Sequence, residues 1–182
     1  PLPLAFLLLI LSAALGAGKG GYQAGADGST QTTTLTGTGA LNGTGSNLTN
    51  FANLVIGSSS TTPTVTMGLN SNILVNNNLT LVSGTMSDAG NTITVLGNII
   101  NSAIHSSPLA PGGGIVLASG NKQQISGNGT GRFGNITINN ASGVSMVDDS
   151  RITGQLNLSL GLLYIDDYKL IMDVDASFNG PF

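Results

Sequence analysis

Cysteine, tryptophan and glutamate do not occur in this chain, and only 7% of its residues are charged and 4% aromatic. Without Cys there are no disulfides, thiolate metal sites or Cys nucleophile. The single His, His105 in "AIHSSP", leaves Ser-His triads and zinc sites without partners. As a lone residue before a Ser-Pro turn, it reads as a surface group. Five Lys and Arg residues are scattered along the sequence without forming a basic stripe. That excludes nucleic acid, which is held by clustered cations that displace phosphate counterions. Soluble globular domains average about a quarter charged residues, yet none occurs here between Gly28 and Ser87. Disordered chains are poor in β-branched aliphatics, whereas this one spaces Val, Ile and Leu regularly to its end, so it reads as folded.

What is present is Asn, Gly, Ser and Thr around thin aliphatic runs, in 182 residues, enough for one core. Residues 1–16, "PLPLAFLLLILSAALG", form the one long apolar block. Its run of about a dozen apolar residues is shorter than the roughly 20 that span a bilayer. It matches the apolar region and small-residue zone of a secretory signal peptide. Alternatively it is a helical cap on a stacked β-structure, or an element that inserts into a neighbouring subunit, because Leu and Ala favour helix. Residues 17–46 are rich in Gly and Thr and read as a flexible lead-in, so the β-repeat domain is expected over 47–182.

Phe51, Asn53, Leu54 and Ile56 match Phe133, Asn135, Ile136 and Ile138 at an offset of 82 (133 − 51). Val65, Met67, Ser71 and Ile73 match Val144, Met146, Ser150 and Ile152 at an offset of 79 (144 − 65). "LTLVSG" at 79–84 then lies over "LNLSLG" at 156–161, and "NTITV" at 91–95 over "YKLIM" at 168–172, both at 77 (156 − 79). The slippage falls in "SSSTTP" and "VNNN", where an inserted residue costs little loop-closure entropy. The two copies cover about 51–97 and 133–174.

Within them, alternating runs such as "NLVI", "TVTM", "NITI" and "LNLSL" put aliphatics on one face of a strand. Between the runs sit Asn-Asn, Ser-Gly, Ala-Gly and Asn-Gly, which tolerate tight turns. The fold class is therefore all-β. A parallel β-helix or solenoid with rungs of about 20 residues, roughly four per copy, suits a narrow aliphatic interior that admits few rings and allows Asn to stack in ladders. The alternative is a β-sandwich, which usually places large aromatics between its sheets.

The phrase from Gln124 to Gly127, then Phe133 to Val144, Ile152, Gly154 to Leu163 and Tyr168 to Met172 runs Q-x-I-x-G, F-x-N-[LI]-x-I-N-N-x-x-G-V, strand, G-x-L-x-L-x-x-G-x-L, strand. In this order it resembles the repeat-rich secreted and cell-surface proteins of Bacteroidetes. The resemblance implies an adhesin-like or matrix protein with a β-helical shaft.

The acids are the remaining candidates for chemistry. Asp148 with Asp149, and Asp166 with Asp167, are adjacent pairs, while Asp173 and Asp175 would share one strand face. Such carboxylates act on glycosides at suitable separations or bind Ca²⁺; otherwise they mark solvated turns. "APGGGIV" at 110–116 lacks a following Lys-Thr or Lys-Ser, so it reads as a turn rather than a phosphate loop. Sequons begin at Asn42, Asn47, Asn78, Asn128, Asn135, Asn140 and Asn157, which composition alone can produce. The expectation is a non-enzymatic extracellular structural or adhesive module with no catalytic, cofactor or metal residues. Its partners would be surface glycans, proteins or further copies of itself. A filament subunit and a β-helical carbohydrate-active enzyme are the alternatives.

Overall fold

The computed structural model describes residues 30–42, 49–108 and 112–180. The apolar segment 1–16 therefore lies outside the described residues. Every paired strand is parallel to its neighbour, in three seven-stranded sheets, which sets the sandwich aside. The chain winds as a solenoid of seven turns, each contributing one strand to each of three faces.

The first turn holds β1 (Thr32–Leu35), β2 (Gly39–Leu41) and β3 (Thr49–Phe51), and the second β4 (Asn53–Ile56), β5 (Thr64–Met67) and β6 (Ile73–Val75). The third has β7 (Leu79–Leu81), β8 (Thr85–Ser87) and β9 (Thr92–Val95), the fourth β10 (Ile99–Asn101), β11 (Ile104–Ser106) and β12 (Gly114–Leu117). The fifth has β13 (Gln123–Gly127), β14 (Arg132–Phe133) and β15 (Ile136–Asn139), the sixth β16 (Val144–Met146), β17 (Ser150–Ile152) and β18 (Gln155–Leu160). β19 (Leu163–Tyr164), β20 (Leu170–Met172) and β21 (Ser177–Asn179) close the seventh. Two of these strands, β1 and β2, fall inside the stretch expected to be a flexible lead-in. "TTTL" and "GAL" carry too few aliphatics to announce themselves, but each sends one Leu inward.

Stacked partners lie between 19 (163 − 144) and 28 (132 − 104) residues apart. Because the register is parallel, like stacks on like. Leu54, Leu79, Ile99, Ile125 and Met146 form one buried column on the first face. Ile73, Ile93, Ile115, Ile136 and Leu156 form another on the third. Each such side chain contributes roughly 1.5–3 kcal/mol by leaving water, and no element needs a ring wider than Phe.

Phe51 and Phe133 are both buried, but Phe51 ends a strand of the third face and Phe133 one of the second. The same displacement holds for every matched segment. β3 corresponds to β14, β4 to β15, β5 to β16, β6 to β17, β7 to β18 and β9 to β20, always eleven strands on. The repeat thus spans three and two-thirds turns rather than four whole rungs, and the copies are related by a one-face screw.

Where the ladder bonds stop at the corners, side chains take over. Between the third and first faces, Asn53 Oδ1 accepts the Asn78 N–H at 3.2 Å, Asn78 Oδ1 the Asn98 N–H at 2.9 Å, and Asn98 Oδ1 the Gln124 N–H at 2.9 Å. A backbone donor that would otherwise be orphaned is satisfied on each turn.

Candidate functional site

His105 is fully buried, contrary to the surface position expected from its Ser-Pro neighbourhood. In β11 it is Ile104 that points outward. His105 instead takes the interior position in register with Met86, and Phe133 follows the Arg132 that pairs with Ile104. Its Nδ1 accepts the Gly134 N–H at 3.3 Å, so the ring proton sits on Nε2, 3.1 Å from Asp88 Oδ2 and off the line of a hydrogen bond. Asp88, also fully buried, accepts the Gly90 N–H on Oδ1 at 2.8 Å and the Ser107 hydroxyl on Oδ2. Ser107 Oγ in turn accepts the Asn135 N–H at 2.8 Å.

Asp, His and Ser are thus brought together, but the wiring is not that of a nucleophilic triad. There the hydroxyl gives its proton to the imidazole. Here it gives it to the carboxylate, the Gly134 N–H occupies Nδ1, and His105 and Asp88 are both closed to solvent. The cluster ties the third, fourth and fifth turns together. Sequence reading missed it because Asp88 belongs to the turn before His105 and Ser107.

The carboxylate pairs lie at the corners. Asp148 Oδ2 accepts the Gly127 N–H at 3.0 Å, and Asp149 Oδ1 the Lys169 N–H at 2.9 Å, each capping an adjacent turn. Asp166 and Asp167 occupy the same corner one turn later. Asp173 and Asp175 do not share a strand face: β20 ends at Met172, and both fall in a turn closed by the Ala176 N–H on Asp173 O at 3.0 Å. Asp173 also receives Arg151 Nη1. Among the described residues, no three His, Cys, Asp or Glu side chains are grouped to hold a metal. In "APGGGIV", Gly112–Gly114 all have positive φ and lead into β12, while Ala110 and Pro111 lie outside the described residues. Of the sequon asparagines, Asn140 is fully buried, and the Oδ1 atoms of Asn78 and Asn135 serve neighbouring turns.

Among the described residues, a shallow groove of about 660 Å³ runs along the corner between the first and second faces, crossing turns two to five. Its floor follows an outward column in strand register: Thr64, Thr85, Ile104, Arg132. Thr62, Ser83, Ser102 and Thr130 flank it. Ser83 turns its hydroxyl to Ser58 O and Thr61 O, and Thr130 bonds Asn128 Oδ1 at 2.6 Å. The hydroxyls of Thr62, Thr64, Thr85 and Ser102 have no partner among the described residues. Arg132 is exposed, and among the described residues its guanidinium has no carboxylate partner. Its register neighbour Arg151 has Asp173. The sequence placed nothing here, since a surface column is assembled from residues 19–28 positions apart (104 − 85; 132 − 104). Compared with protein-family models, with curated proteins and with solved structures, the chain finds no match.

Proposed function

We propose that the chain is a non-enzymatic extracellular module, structural and adhesive, forming a solenoid segment of a larger cell-surface or secreted protein. The observation that carries this reading is the outer surface of turns one to four. There a closely packed core and its corner ladders hold outward Thr, Ser and Asn side chains interspersed with aliphatics, with no exposed charge on the described strands. Such a face engages surface glycans or proteins through many weak hydrogen bonds, and its grip grows by repetition rather than by one strong contact.

Beads bearing many copies, washed over glycan-coated glass, test the reading. Retention should rise steeply with copies per bead, and a panel of polysaccharides incubated with the protein should release no new reducing ends. Product release, or no retention on any glycan surface, would overturn it.

A further inference from the structure

Arg132 and Arg151 are direct cross-strand partners, about one strand spacing (~4.8 Å) apart, and like charges placed so destabilise a sheet unless neutralised. Arg151 is neutralised by Asp173, and Arg132 is left facing the groove. The nearest acids on the following turn, Asp148 and Asp149, are spent on the backbone N–H groups of Gly127 and Lys169. From Arg132 the column runs back through Ile104 and Thr85 to Thr64, three strand spacings or about 14 Å, with the free hydroxyls of Thr62 and Ser102 alongside.

From this juxtaposition we infer that the groove binds an extended acidic oligosaccharide, with a sugar carboxylate on Arg132 and successive ring hydroxyls on Ser102, Thr85, Thr64 and Thr62. Each hydroxyl donates and accepts, which matches sugar hydroxyls spaced along a chain. Arg presents a planar fork to a carboxylate. A peptide is a poorer fit: strands β5, β8, β11 and β14 are each paired on both sides, so no edge is free for strand addition. A long polyanion such as nucleic acid would meet one cation followed by the carboxylates of the sixth and seventh turns. This inference rests on the adhesive reading and names its ligand class.

The test is titration calorimetry of the whole chain with trigalacturonate and with its uncharged galactose counterpart. Binding of trigalacturonate, weakened about tenfold in Arg132→Gln by loss of a charge-assisted hydrogen bond, supports the inference. Lys122→Gln removes the same charge over the Tyr164 ring, away from the groove, and should leave the affinity unchanged. Thr85→Val should weaken binding of the same ligand while keeping the strand. Equal affinity for the neutral sugar, or an Arg132→Gln variant as tight as the parent, overturns the inference. So does absence of trigalacturonate binding. Bead retention on neutral glycans under any of those outcomes would leave the adhesive reading standing, so the two fail separately.

Discussion

Replacing Asp88 by Ala should be among the most damaging single changes in this molecule, and pairing it with His105→Leu should restore part of the loss. Asp88→Ala takes the acceptor from the Gly90 N–H and the Ser107 hydroxyl, and removes the carboxylate that faces the buried His105 Nε2–H at 3.1 Å. Ser107 is half-buried and Gly90 exposed, so both donors can turn to water; the buried His105 Nε2–H loses its electrostatic partner at about 1–3 kcal/mol. With about 0.5–1 kcal/mol for each of the two bonds exchanged for water, the total is roughly 2–5 kcal/mol. His105→Leu costs less, about 2–3 kcal/mol, because only the Gly134 N–H loses its acceptor while Asp88 keeps two donors. In the double variant no imidazole N–H is left unpaired, and the Leu packs between Met86 and Phe133. Its cost should therefore fall about 2 kcal/mol short of the sum of the singles. Urea unfolding followed by far-ultraviolet circular dichroism measures each leg of the cycle. Hydrogen exchange should place the lost protection in turns three to five. A double variant additive within about 0.5 kcal/mol would refute the claim that these groups act as one network.

Four further substitutions probe the corners. Gly84 has φ +81°, and a Cβ there would sit 2.1 Å from Pro63 O; Gly84→Ala should lower stability by about 1–3 kcal/mol in thermal melts. Gly120→Ala, with nothing within 4 Å of the new methyl, should stay within about 0.5 kcal/mol. Asn140 donates from Nδ2 to Asn121 O at 2.7 Å and Gln123 Oε1 at 2.9 Å, so the isosteric Asn140→Asp turns a carboxylate on two acceptors and should cost about 3 kcal/mol or more. Asn78 is used for its Oδ1 alone in the ladder, so Asn78→Asp should change the urea midpoint little.

The all-β class and the stacked-strand architecture were legible because a narrow coil asks one thing of each strand, an aliphatic at alternate positions followed by a turn residue. "NLVI", "TVTM" and "NITI" meet that demand openly and became β4, β5 and β15. "GAL", "TMS" and "IHS" meet it with a single inward side chain each, too short a signal for periodicity. His105 shows the limit most clearly. Its neighbour Ile104 is the more hydrophobic residue, yet it is 43% exposed while His105 is fully buried. Parity in a three-residue strand is set by register with Met86 above and by the Asp88 and Gly134 partners, all supplied by other turns. The groove was unreadable for the same reason: its residues become neighbours only after the turn length is known, and that length varies with the corners.

The eleven-strand repeat explains why similarity within the chain was visible while its geometry was not. Successive strands enter equivalent surroundings, one inward row and one corner, whichever face they join. A duplicated phrase therefore keeps its buried pattern after slipping by one face, and Phe51 and Phe133 stay buried on different sides of the coil. Selection on the interior is then indifferent to face, and only the outward columns register which side a residue has reached. On the described strands and corners those columns carry no exposed charge until Lys122 and Arg132 in turn five, and they gather the remaining charged side chains in turns six and seven. The groove follows the same gradient: its column passes from hydroxyl at Thr64 and Thr85 to the cation of Arg132 within four turns.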